Sequence, residues 1–327
     1  MPTYKEIKGT TIQSFATDPS NPIDGQVWYN TTSNALKQKV IATAAWSSGG
    51  NMPTNSYKMA STGIQTAALS VAGSTAPSSN SLLTHEYDGT SWTGGGNYPE
   101  TTYGFDGAGT QTAGVAMGGR IASADGGIVN TNEYDGSSWT AGGNLNSISR
   151  LQTSSGTQTA ALNIGGLPYQ SGVEEYDGTS WTVGGSLNGG RYYLAGCGVQ
   201  TATLAYGGPG NKRGTEEYDG TSWTNRSQMG TGGYGLGGFG TTTAAIGIGG
   251  NRPGFNSGTV NTEEWDGTSW AATADMANQR TYMGSAGTQT AGLAFGGQQG
   301  PSTGTPAINA SEEFTGGGTE TRTISTS

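Results

Sequence analysis

The residues that could do covalent or metal chemistry are few and scattered. One histidine, His85, and one cysteine, Cys197, serve the whole 327-residue chain. A structural or catalytic zinc needs three or four such ligands, so zinc fails on count. A Ser-His-Asp relay would have to use His85, and no Gly-x-Ser-x-Gly elbow is present to carry a nucleophile. His85 reads as a loop or edge residue. Cys197 cannot close an internal disulfide. Paired acids stand at Glu174/Glu175, Glu216/Glu217, Glu263/Glu264 and Glu312/Glu313. Two carboxylates about 5–10 Å apart can hydrolyse a glycoside. These pairs recur at equivalent places, however, and successive strand side chains point to opposite faces. A repeated structural glutamate is therefore the expectation. No metal, cofactor or catalytic set is expected.

Those acids belong to a repeat. Glu-Tyr-Asp-Gly-Thr-Ser-Trp begins at Glu86 and returns, with small changes, at Glu133, Glu175, Glu217 and Glu264, with a degenerate copy at Glu312. The turn aspartates Asp88, Asp135, Asp177, Asp219 and Asp266 are spaced by 47, 42, 42 and 47 residues. Each is followed by a tryptophan: Trp92, Trp139, Trp181, Trp223 and Trp270. A second string of the type Gly-x-Gln-Thr-Ala, ending in a small residue and glycine, precedes each copy, starting at Gly63, Gly109, Gly156, Gly198, Gly240 and Gly287. A unit of this length holds four strands. The first runs up to the Gly-x-Gln-Thr turn and the second is the small apolar run. The third carries Glu-Tyr, and the fourth follows the Asp-Gly hairpin. Each Asp-Gly turn brings one carboxylate, too few for calcium.

Composition agrees. Gly makes up 60 of 327 residues, and charged residues only 11%. Glycine at that density rules out a helical bundle, and regularly placed Trp and Tyr argue against disorder. The formal charge of −9 and the absence of a basic cluster argue against a nucleic-acid groove. No apolar run approaches the roughly 20 residues of a membrane span. The first ten residues lack the apolar core of a secretory signal.

The repeat resembles that of kelch-type β-propellers: a Gly-Gly pair after the second strand, an aromatic on the third and a tryptophan on the fourth. The fold expected is all-β, a six-bladed kelch-like β-propeller over 45–327, with a seven-bladed ring as the alternative. Residues 1–44 form a separate N-terminal segment with a short β-hairpin. The strand-like run from Ala45 to Gly50 would complete the last blade, in competition with a tail around Thr319. Within the first segment, Asp24-Gly25-Gln26-Val27-Trp28-Tyr29-Asn30-Thr31 looks like a hairpin found near the ends of bacteriophage tail-fibre proteins, especially of marine and cyanobacterial phages. The resemblance implies a virion protein, made in the host cytoplasm, whose first segment docks to other tail proteins. The Asp-Gly-Thr-Ser-Trp turn departs in spacing from the sialidase Asp-box. Three arginines near strand starts (Arg150, Arg191 and Arg280) do not occupy the blade positions of a known triad.

The uneven connections between second and third strands, 74–84, 120–132, 167–174, 209–216, 251–263 and 298–312, share one rim with the starts of the first strands. Variable loops on a rigid ring are where recognition sits. Tyr57, Tyr103, Arg150, Tyr192 and Tyr234 occupy matching positions at that rim, with Arg191 and Arg280 one residue before the column. Together these seven are the candidate ligand-binding residues. The expected function is non-enzymatic: a tail adhesin that binds a host-surface glycan or protein, without nucleic acid or membrane insertion, and with homo-oligomerisation left open. A purely structural propeller and a glycan-processing enzyme are the alternatives.

Overall fold

The computed structural model describes residues 12–76, 79–121, 126–167, 171–209, 213–252, 258–300 and 305–324. Parts of all six second-to-third-strand connections lie outside these residues. Among the described residues every regular element is a β-strand. The chain divides into two compact units: Ala45–Thr315, and Met1–Ala44 together with Gly316–Ser327.

The larger unit contains six four-stranded antiparallel sheets among the described residues. Their innermost strands are Ala60–Ile64, Asp106–Thr110, Thr153–Thr157, Ala195–Val199, Gly237–Gly240 and Gly284–Thr288, counted here as the first to sixth sheets. Each touches the next, and the sixth touches the first, so the sheets close into a β-propeller. Five sheets are built from consecutive chain. The sixth takes its outermost strand, Ala45–Ser48, from the start of the unit, with Trp46 opposite Phe314 and Ser48 opposite Glu312. Strand Gly318–Thr323, which the sequence reading ran on with the ring, pairs instead with Ala35–Ala42 in the smaller unit.

The conserved look of the repeat comes from bonds between sheets. Tyr134, Tyr176, Tyr218 and Tyr87 on the third strands donate their hydroxyls at 2.5–2.6 Å to Glu86, Glu133, Glu175 and Glu313 of the preceding sheet. A hydrogen bond to a charged acceptor contributes about 1.5–3 kcal/mol. The fifth and sixth sheets have Trp265 and Phe314 where the first four have tyrosine, and Glu217 is held instead by Arg226 at 2.6 Å. Each tryptophan of the fourth strands sends its indole N–H to the preceding sheet, as Trp181 does to Thr131 Oγ1 at 2.9 Å. Turn glutamines do the same: Gln111 Nε2 reaches the carbonyls of Ala68 and Tyr87 at 3.0 and 2.7 Å. Between the first two sheets, Leu69, Val71, Tyr98, Phe105 and Tyr134 form one buried cluster.

Within the Asp-Gly turns, Asp88 Oδ1 accepts the N–H groups of Thr90 and Ser91, and Gly89 takes φ +91°. Such side-chain capping of its own turn is what favours Asp there. His85 is not a loop or edge residue. It lies buried in strand Thr84–Tyr87, at the position that Glu174 and Glu216 occupy in later sheets, and burial lowers its pKa.

The smaller unit is a four-stranded sheet. Gln13–Phe15 runs parallel to Val27–Asn30, which forms a hairpin with Ala35–Ala42. Asp18 organises it by accepting from Trp28 Nε1 at 3.0 Å, Asn30 Nδ2 at 2.7 Å and Lys37 Nζ at 2.9 Å. These bonds hold the Asp18 carboxyl near pKa 2.

Candidate functional site

Six residues at the head of the innermost strands define the axis of the propeller. Lys58, Gly104, Leu151, Tyr193, Gly235 and Tyr282 all adopt left-handed backbone, with φ between +52° and +67°. Each N–H donates to the carbonyl of its counterpart in the preceding sheet at 2.7–2.9 Å, and Lys58 closes the cycle onto Tyr282. Four of the six are not glycine, although a non-glycine residue costs about 1–2 kcal/mol in this conformation. The cyclic bonds offset that strain. The two glycines are required by their neighbours as well. A Cβ on Gly104 would stand 2.5 Å from Leu151 Cδ2, and one on Gly235 would stand 2.7 Å from the Tyr282 ring.

The side chains of this cycle form a cluster at the mouth. Lys58 Nζ lies 4.8 Å from the Tyr282 ring centre, 5.5 Å from that of Tyr193 and 5.7 Å from that of Tyr57. Tyr193 and Tyr282 pack with centroids 4.6 Å apart, and Tyr193 also contacts Tyr192 and Tyr234 at 5.5 and 6.2 Å. Burial, reinforced by the charge of Arg120, lowers the pKa of Lys58. Burial raises those of Tyr193 and Tyr282, so both stay protonated.

Around this cluster stands the column read from the sequence. Tyr57, Tyr103, Arg150, Tyr192 and Tyr234 are half-buried, each one residue before the cycle. Tyr57, Tyr103 and Tyr234 extend their strands by pairing with Ser74, Arg120 and Asn251. The Arg120 guanidinium lies 6.0 Å from the Tyr103 ring centre.

Arg191 and Arg280 do not belong to this mouth. They are 2% and 0% exposed, which removes them from the ligand-binding set. Arg280 donates to Glu312 at 2.7 Å and to the carbonyls of Gly296 and Ala310. Arg191 makes the same contacts with Glu216, Gly207 and Gly214. One step along an extended chain reverses the side-chain direction, so the arginine turns into the sheet where the following residue turns to the mouth. Glu174, Glu216, Glu263 and Glu312 are likewise buried and accept loop N–H groups: Glu174, for example, takes those of Asn146 and Ser147.

Below the cycle, a cavity of about 220 Å³ follows the axis between the innermost strands. Asp106 lines it and accepts from Ser154 N at 2.8 Å and Thr153 Oγ1 at 3.3 Å. Burial raises its carboxyl to about 6, against the lowering effect of those bonds. Ser61 and Ser285 cap backbone groups of neighbouring inner strands in the same way. The cavity also reaches Cys197, whose thiol burial pushes up to about 12. Sequence reasoning missed Lys58, Tyr193, Tyr282 and Asp106. The first three stand one residue beyond the tyrosine column, where Lys, Gly, Leu and Tyr alternate and no shared residue type marks the position. Among the described residues, no group of three acidic, His or Cys side chains is placed to hold a metal.

No protein-family model matches the chain, and no curated protein matches it. Among solved structures it is similar to YjhT, with a TM-score of 0.69 over 83% of this chain and 99% of that one. Sequence identity is 13%, so this likeness establishes the β-propeller fold and nothing finer.

Proposed function

We propose that the chain is a non-enzymatic virion protein of a bacteriophage, a tail-fibre or tail-tip adhesin that meets a host-surface glycan or protein at the propeller mouth. The observation that carries the binding half is the cluster of Tyr192, Tyr193, Tyr234 and Tyr282 beside the Lys58 ammonium. Aromatic faces with a polar handle are what recognition surfaces use. The virion half rests on the tail-fibre-like hairpin around Trp28. In this reading the unit formed by Met1–Ala44 and Gly316–Ser327 docks to other tail proteins.

Two measurements test the proposal. Electron microscopy of the parent particle, with an antibody to the ring, should place the protein on the tail. Its presence only as free soluble protein would overturn the virion assignment. The recombinant chain should bind host cells and lose binding with Tyr193→Ala. Binding to no host surface would overturn the adhesin reading, and turnover of a bound glycan would return the chain to the glycan-processing enzymes.

A further inference from the structure

Most cations of the ring fall into two groups; of the other two, Arg120 lies over the Tyr103 ring and Arg213 Nε donates to the Met229 carbonyl. Arg191, Arg226 and Arg280 are paired with Glu216, Glu217 and Glu312. Lys58, Arg150 and Arg252 have no carboxylate partner among the described residues, and all three belong to the mouth rim. Among the described residues, the Lys58 ammonium lies against the rings of Tyr57, Tyr193 and Tyr282. Arg252 has Nε and Nη2 buried without a hydrogen-bond acceptor. Withdrawing a cation from water without a counter-charge is costly, and stacking on aromatic rings returns only about 0.5–2 kcal/mol.

The acids are arranged the opposite way. Glu174, Glu216, Glu263 and Glu312 are buried and spent on loop N–H groups or arginines. The exposed turn aspartates Asp88, Asp135, Asp177, Asp219 and Asp266 sit at the turns after the third strands, the rim away from the mouth. Among the described residues of the ring, Lys58, Arg150 and Arg252 thus stand without a carboxylate partner at one opening, while Asp106, in the axial cavity that Lys58 also lines, is bonded to Ser154 N and Thr153 Oγ1. The tyrosines in mutual contact, Tyr192, Tyr193, Tyr234 and Tyr282, come from the fourth to sixth sheets, and Lys58 and Arg150 from the first and third; Tyr57 and Tyr103 add rings on the first and second.

We infer that the mouth takes a saccharide bearing a carboxylate, its sugar ring laid on the tyrosines of the fourth to sixth sheets and its carboxylate toward Lys58 and Arg150. This rests on the reading of the mouth as a binding site and adds the class of ligand. The carboxylate would supply the counter-charge that Lys58 and Arg150 lack, and pyranose C–H faces suit the tyrosine rings.

The test is calorimetric titration of the full chain with oligogalacturonate, alginate and hyaluronan oligomers, each beside a neutral counterpart, above all methyl-esterified oligogalacturonate. At least one uronate should bind, and its neutral form should bind about tenfold or more weakly, as expected for loss of one charge-assisted contact. Lys58→Asn, which suits positive φ, and Arg150→Gln should each weaken uronate binding by a similar factor. The esterified ligand makes the same comparison on unaltered protein. Equal affinity for charged and neutral forms, or uronate binding unchanged in both variants, would overturn the inference. Host-cell binding that no uronate competes away would also sink it while leaving the adhesin reading standing. Uronate binding lost in both variants, without host-cell binding, would support the inference and sink the adhesin.

Discussion

The backbone N–H of Lys58 donates to the carbonyl of Tyr282 at 2.9 Å, joining the first sheet of the ring to the last. It is the sixth member of a cycle in which every sheet contributes one donor and one acceptor at the axis. Outer closure is supplied separately, by Ala45–Ser48 in the sixth sheet. Gly235 is a tight point of the inner closure, because an added methyl would meet Thr281 Oγ1 at 2.5 Å and the Tyr282 ring at 2.7 Å. Gly235→Ala should therefore destabilise by about 1–3 kcal/mol, the range for overpacking a fitted site. A lower urea midpoint at unchanged slope would show it, and an unchanged midpoint would mean that the axis is loose.

Arg280 makes a different prediction from the one its position in the sequence suggests. As a rim residue, its loss would weaken ligand binding and leave stability alone. As the buried partner of Glu312, its replacement strands a carboxylate in the interior. Arg280→Ala should cost about 3–5 kcal/mol. Arg280→Leu with Glu312→Leu should recover much of that loss. Thermal melts of the two variants give the comparison, and a melting temperature unmoved in Arg280→Ala would contradict the ion pair.

How much was legible follows from what a repeat can and cannot encode. The spacing of Asp88, Asp135 and Asp177 was enough to lay out four strands per sheet, and Trp46 marked the outer strand that closes the sixth. Tyr57, Tyr103, Arg150, Tyr192 and Tyr234 could be found because matching positions in a ring land on one rim. Arg191 and Arg280 could not be told from that column, since the difference is a half-turn of backbone and a partner more than 20 residues away. Lys58 was hidden because left-handed backbone at a non-glycine residue leaves no mark in composition. Asp106 was hidden because its bonds, to Thr153 and Ser154, cross between sheets.

The turn glutamines offer a test of what holds neighbouring sheets together. Gln111 Nε2 serves two carbonyls of the preceding sheet, those of Ala68 and Tyr87. Gln111→Ala leaves both without that donor and should cost about 1–3 kcal/mol. The fifth sheet carries Thr242 at this position, so the substitution should be tolerated in the fold while lowering its stability. Hydrogen exchange should then rise first at the amides of the first and second sheets. Uniform exchange across the ring would argue that the glutamine bonds contribute nothing local.

Asp106 makes stability depend on pH in a direction opposite to most carboxylates. Its carboxyl titrates near 6 in the folded chain, against 3.8 for an unperturbed aspartate. Between those values the native state holds a proton that the unfolded chain has released, so protonation favours the fold. Stability should fall as pH rises from about 4 to about 6, by roughly 2–3 kcal/mol at 1.36 kcal/mol per unit, and then level off. Asn at this position keeps an acceptor for Ser154 N–H and carries no charge to desolvate. Asp106→Asn should therefore be the more stable protein at pH 8, with the difference shrinking to nothing near pH 4. The exposed turn aspartates, held below their usual values by their own turns, titrate beneath this window and are common to both proteins. Urea titrations of the two proteins from pH 4 to pH 8 decide the matter. A difference that grows toward low pH would mean that Asp106 is stabilised as the carboxylate and that its bonds to Thr153 and Ser154 outweigh its burial.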